Sequence, residues 1–159
     1  MTTQAFLKLI DAQKATGKFH EPGRRMRKGS LEAFQKKRPK QTVPADLLAL
    51  YQAHNGLDLM KASPTLYGSL RLFPISKWKS ARGWWNYRGG GALEDPSMLD
   101  GIIVGQHTTP KSSRAWLQSQ IVLSVNGSRF YILAWGSPRF QVAASTAELL
   151  DWMAEQMAD

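Results

Sequence analysis

Residues 116–135 read WLQSQIVLSVNGSRFYILAW, two apolar runs that meet at Asn126-Gly127, the dipeptide best suited to a type I′ turn because both positions need φ > 0. Pairing outward from that turn sets Leu123 opposite Phe130, Ile121 opposite Ile132 and Ser119 opposite Ala134, so one face of the hairpin is continuously apolar and belongs to a core. The other face pairs Val122 with Tyr131, Gln120 with Leu133 and Gln118 with Trp135. It is too apolar to be left wholly in water and too polar for a dry interior. Part of it is therefore expected to be covered, by the chain itself or by a partner.

Helical periodicity surrounds this hairpin. Thr2 or Thr3 is placed to cap a helix carrying Phe6, Leu9, Ile10 and Gln13 on one side and ending near Gly17. Ser30 reads as the N-cap of a short helix, LEAFQKKR, whose last turn is cationic. Pro44 at a first helical position and Asp46 in the first turn open a helix with Leu47, Leu48, Leu50, Tyr51 and His54 inward, and Asn55-Gly56 supplies a left-handed C-cap. Leu70 to Ile75 is a short strand, placed near a sheet edge because Pro74 has no amide to donate. Ser76 is expected to cap a helix through KWKSARGWWNYR. A buried strand follows at Gly101 to Gly105, TTPKSSR connects it to the hairpin, and Phe140 to Ala143 forms one more strand. Ser145 and Glu148 have capping-box spacing before a final helix with Leu149, Leu150, Met153 and Met157 inward. These elements predict one α+β domain over residues 1–159: a mixed or antiparallel sheet packed by N- and C-terminal helices.

Composition bounds the chemistry. At 159 residues with 43% hydrophobic and 10% aromatic content, the chain has a core to build and is no disordered polymer. With no cysteine there is no disulfide, thiolate nucleophile or cysteine-ligated metal. The first residues lack the layout of a secretory signal and no apolar run approaches the roughly 20 residues that span a bilayer, so a cytoplasmic protein without membrane contact is expected. Of the net charge of +9, seven lie between Lys18 and Lys40, where nine Lys or Arg face Glu21 and Glu32. Such a segment suits an acidic partner, or serves as a solvated surface that aids solubility.

Convergent titratable groups are scarce. His54, inward at a helix end, reads as a structural histidine bonding a carbonyl, while His20 and His107 fall in polar loops without the spacing of a zinc site. Glu94, Asp95 and Asp100 read as surface solvation, and Gly89-Gly90-Gly91 lacks the Lys-Ser/Thr of a phosphate-binding loop. No catalytic residue, metal or cofactor is assigned. Arg82, Trp84, Trp85 and Arg88 are of the types enriched at interface hot spots. Adjacent tryptophans on a helix point about 100° apart, so one anchors the helix and the other faces outward.

The order of the pieces resembles a known family. Val43-Pro44-Ala45-Asp46-Leu47-Leu48-Ala49-Leu50-Tyr51-Gln52-Ala53-His54-Asn55-Gly56 looks like the proline-led helix ending in Asn-Gly that marks the SUKH superfamily, named in part for a yeast regulator of cell-wall synthesis. Tyr67-Gly68-Ser69 with Leu72 to Ile75 resembles its aromatic-Gly-Ser turn before a Leu-x-Pro-Ile strand. The Ile102 to Gly105 strand, the Gly127 hairpin with Tyr131 and the Ser145-led helix follow in the family's order, so the resemblance spans roughly Leu31 to Met157. Two features depart from the pattern: the basic insert is longer, and Asn126 stands where an acidic residue is often found. The resemblance implies a single α+β domain that is not an enzyme. It also implies an immunity protein for interbacterial competition, which binds and occludes a cognate polymorphic toxin delivered by contact-dependent or type VI secretion, frequently a nuclease. The expected contact residues are Arg24, Arg25, Arg27 and Lys28 of the basic segment, with Arg82, Trp84, Trp85, Arg88 and Arg114. Inhibitors that imitate DNA are acidic and this chain is basic, so an acidic flank of the toxin or its catalytic carboxylates are the expected counterpart. The alternative is a nucleic-acid-binding module in which the basic segment meets phosphates and the aromatics stack on bases.

Overall fold

The computed structural model describes residues 1–17, 20–59, 70–93, 95–112, 115–134 and 140–158. The hairpin register agrees with the pattern of apolar residues: Leu123 pairs with Phe130, Ile121 with Ile132 and Ser119 with Ala134. The turn itself is wider than the expected type I′. Ser124 N–H donates to Arg129 O (2.9 Å) and Gly127 N–H to Ser124 O (2.9 Å), closing a four-residue loop. Asn126 Oδ1 accepts from Ser124 Oγ (2.8 Å), Ser128 N (3.1 Å) and Ser128 Oγ (2.7 Å). Both closures are symmetric about the same point, so widening the loop leaves every strand pair unchanged.

In chain order the elements are α1 (Thr3–Ala15), β1 (Glu21–Pro22), α2 (Ser30–Lys37), α3 (Ala45–Ala53), β2 (Leu57–Leu59), β3 (Leu70–Leu72), β4 (Lys79–Ser80), α4 (Ala81–Tyr87), β5 (Ile102–Ser112), β6 (Ala115–Leu123), β7 (Phe130–Ala134), β8 (Phe140–Ala143) and α5 (Thr146–Met157). Short 3-10 turns occupy Ile75–Lys77 and Pro96–Asp100. The strands form one eight-stranded sheet in the order β1-β2-β3-β5-β6-β7-β8, with β4 also on β5. Every pairing in it is antiparallel.

Several boundaries differ from the sequence reading, each for a local reason. Gly29, with φ of 89°, is the N-cap of α2, and Ser30 is its first helical residue. A left-handed entry favours glycine, and no side chain caps this end. Pro44 caps α3 rather than opening it, and the helix stops at His54. Asn55-Gly56 is therefore a turn into β2 and not a left-handed C-cap. There Asn55 Oδ1 accepts from Ile75 N (2.9 Å), and a Cβ on Gly56 (φ 98°) would lie 2.8 Å from Leu72 O.

The strand at Leu70 is interior, between β2 and β5, because Pro74 falls outside the ladder. The chain leaves β5 at Phe73, makes the 3-10 turn that sends Trp78 into the core, and returns to β5 as β4. Ser76 accordingly caps nothing. Ser80 caps α4, accepting from Gly83 N (3.1 Å). Most of TTPKSSR is strand: β5 runs to Ser112 and pairs with β6 throughout. Pro110 lies within this strand, opposite Trp116. Tyr67-Gly68-Ser69, Arg114 and Trp135 lie outside the described residues.

The expected caps at the two chain ends hold. Thr2 Oγ1 accepts from Ala5 N (3.2 Å). Ser145 Oγ accepts from Glu148 N (3.2 Å), while the Glu148 carboxylate accepts from Ala144 N (2.7 Å) rather than from the serine's own amide. Against one sheet face, α1, α2, α3 and α5 bury Phe6, Ile10, Phe34, Leu47, Leu50 and Tyr51, together with Leu149, Leu150, Met153 and Met157. The described part of the second face, which the pattern left open between chain and partner, is covered by the chain: Ala81 and Trp85 of α4 with Met98 and Leu99 of the 3-10 turn pack on Ile103, Val122 and Leu133.

Candidate functional site

The basic residues sit on a loop that the fold holds by its backbone. Between β1 and α2, Gly23 N–H donates to Gly56 O (2.7 Å) and Asn55 N–H to Arg24 O (2.7 Å). His54 Nδ1 donates to Gly23 O (2.9 Å), the structural role read from its position. A Cβ at Gly23 would lie 2.6 Å from the carbonyls of Asn55 and Gly56, so the close approach of loop and helix end needs glycine. With the backbone fastened inward, Arg24, Arg25, Arg27 and Lys28 are left exposed. Among the described residues none of the four pairs with a carboxylate; the ion pairs there are the N-terminus with Asp151, Arg71 with Asp58 and Arg82 with Asp100. Met26, in the middle of the run, turns the other way and packs on the core.

Loop and helix α2 enclose a cleft of about 520 Å³ lined by Arg25, Met26, Arg27, Lys28, Gly29, Leu31, Glu32 and Gln52. Met26, Leu31, Glu32 and Gln52 were not anticipated from the sequence. The available signal was two apolar residues, Met26 and Leu31, set within a run of cations.

The second group lies on α4. Trp85 is 7% exposed, and its Nε1 donates to Gly91 O (2.9 Å). Gly90 lies flat on its indole, where a Cβ would stand 2.1 Å from the ring. This ring is the anchor of the helix. Trp84 is half-buried on the same cluster, with the Arg88 guanidinium 5.9 Å above its ring. Tyr87, 87% exposed, is the aromatic that faces solvent. Arg82 Nη2 reaches Asp100 Oδ1 (2.6 Å) and Pro96 O (3.4 Å), tying α4 to the neighbouring 3-10 turn; Asp100 is thus paired. The structure therefore gathers Arg25, Arg27 and Lys28 at one cleft and Trp84 with Arg88 at one helix, packed against opposite faces of the sheet. Arg114 lies outside the described residues.

Neither remaining histidine is a solvated loop residue: His20 directly precedes β1, outside any helix or strand, but is buried, and His107 is in a strand. His20, 3% exposed, bonds Gln13 Oε1 at 2.6 Å. His107 is on β5, its ring edge-on to Trp152 at 5.3 Å, and burial pushes its pKa below the ordinary histidine value. Among the described residues no three His, Asp or Glu side chains converge as a metal site would require. No helix among them is long and apolar enough to cross a membrane. Comparison of the chain with protein-family models, with curated proteins and with solved structures finds no match.

Proposed function

We propose that this protein acts by stoichiometric binding, as a cytoplasmic immunity protein that covers the active site of a bacterial toxin and has no reaction of its own. The observation that carries the reading is the set of four exposed cations, Arg24, Arg25, Arg27 and Lys28, on a backbone-anchored loop, with no carboxylate of the described chain paired to them. A preformed cationic surface of this kind steers an acidic partner into contact and loses little entropy on binding. The ordered motifs that resemble the SUKH superfamily support the same reading.

The test is kinetic. The candidate partner is a toxin-like domain, sought among the products of adjacent genes, and binding is followed at several salt concentrations. Replacing Arg24, Arg25, Arg27 and Lys28 by Ser is expected to lower the on-rate about tenfold at low salt and flatten its salt dependence; unchanged kinetics would remove the loop from the interface. A second reading is favoured by Tyr87 and by the Arg88–Trp84 stack, which together offer rings to unpaired bases. Sub-micromolar binding of single-stranded nucleic acid in a gel shift near physiological salt, without any protein partner, selects that reading instead.

A further inference from the structure

The cleft beside α2 combines two surfaces of different character. Arg25, Arg27 and Lys28 line it as exposed cations, whereas Met26 and Leu31 are half-buried and back onto the main core. Its volume of about 520 Å³ falls within the ~300–1,000 Å³ of sites that enclose ligands of a few residues' size. A cationic rim alone would suit any anion. The apolar backing narrows the choice, because a thioether and a branched side chain recover free energy only when an apolar group displaces water from them.

We infer that this cleft receives a short acidic segment of the protein partner, one apolar side chain of which seats on Met26 and Leu31 while flanking carboxylates meet Arg25, Arg27 and Lys28. The inference rests on the proposed function only in supposing that the partner is a protein. Charge complementarity with Arg25, Arg27 and Lys28 calls for anions, and the apolar backing of Met26 and Leu31 favours anions carried on a chain that also presents an apolar side chain. Gln52 adds an amide that both donates and accepts, as an extended peptide backbone requires. The hydrogen bonds from Gly23, Asn55 and His54 hold the loop before anything binds, so little ordering opposes association.

The experiment uses the full chain, ¹⁵N-labelled, with a fluorescein-tagged peptide, Glu-Asp-Leu-Glu-Asp-Glu, at about 0.15 M salt. A serine-for-leucine peptide of the same charge and a thymidine hexanucleotide are the comparison probes. The leucine peptide is expected to shift the amides of residues 25–32 and Gln52, and to bind about tenfold more tightly than the serine peptide and more tightly than the oligonucleotide. The triple variant Arg25→Ser, Arg27→Ser, Lys28→Ser loses that binding by more than about tenfold. Lys36→Ser, Lys37→Ser, Lys40→Ser removes equal charge outside the cleft and leaves affinity within about twofold, since distant surface charges are screened. Equal binding of the serine peptide or the oligonucleotide, equal loss in both triple variants, or no shift at these amides overturns the inference. If the peptide fails while the toxin is still neutralised, the cleft assignment falls and the proposed function stands; peptide binding without any protein partner has the opposite meaning.

Discussion

Tyr51 shows how one polar atom is admitted to a dry interior. Its hydroxyl donates to Phe73 O (2.7 Å) and accepts from Trp78 Nε1 (3.2 Å), while the two rings meet edge to face at 4.9 Å. Burial holds its pKa far above the ordinary phenol value, so it remains a donor at any physiological pH. Tyr51→Phe keeps the packing and removes the bond. Trp78 still reaches Phe73 O at 3.0 Å, so chemical denaturation should report a loss of only about 1–2 kcal/mol. His107 has the opposite relation to pH. Its folded pKa lies below the unfolded value of roughly 6.5, so in the window between them the unfolded chain holds a proton that the folded chain refuses. Stability from this site is full above pH about 6.5 and falls as the pH drops through the window. Urea titrations at pH 7.5 and 5 should show the native protein losing ground to His107→Gln as pH falls; parallel curves would remove the effect from this ring.

At the scale of the element, α4 is a seven-residue helix that could not persist alone. Its anchor is Trp85, held in a slot closed by Gly90. Gly90→Ala sets a methyl into the indole, and overpacking of that kind costs about 1–3 kcal/mol. The expected readout is a red-shifted tryptophan emission in the native state, because the indole is pushed out of its slot, together with a single melting transition at lower temperature. An unshifted spectrum with an unchanged melting temperature would show that the slot relaxes freely. Residues 70–80 make the companion case. A strand, a proline-led excursion and a return strand all address β5, and the excursion serves to deliver Trp78 to the ring cluster with Phe34 (5.2 Å) and Tyr51.

Over the whole molecule, one sheet carries two cores. The strands β5, β6 and β7 contribute Ile102, Ile121 and Ile132 to one and Ile103, Val122 and Leu133 to the other, so neither layer can melt without the strands they share. Trp85→Ala and Met153→Ala, on opposite faces, should each lower a single cooperative transition by about 2–5 kcal/mol. Near- and far-ultraviolet circular dichroism should give coincident curves for both variants, and a separate early transition for either layer would break the two-core account. The same arrangement keeps the basic loop and the Trp84–Arg88 stack on different sides of the sheet. A rigid partner meeting both would have to wrap an edge.

The residues alone determined the hairpin register, the inward faces of α1, α3 and α5, and the caps at Thr2 and Ser145, because each depends on periodicity or on a side chain a few positions away. Turn width and helix ends were less legible: Asn126-Gly127 and Asn55-Gly56 suit more than one local closure, and what packs on them selects one. The loop's cations could be read from composition, but their gathering at a cleft could not. Met26 points inward only because Gly23, Asn55 and His54 fasten the loop to the end of α3, a contact between segments about 30 positions apart. Tertiary structure likewise decided that α4 covers the second sheet face, since nothing local to Val122 or Leu133 specifies which distant segment excludes water from them.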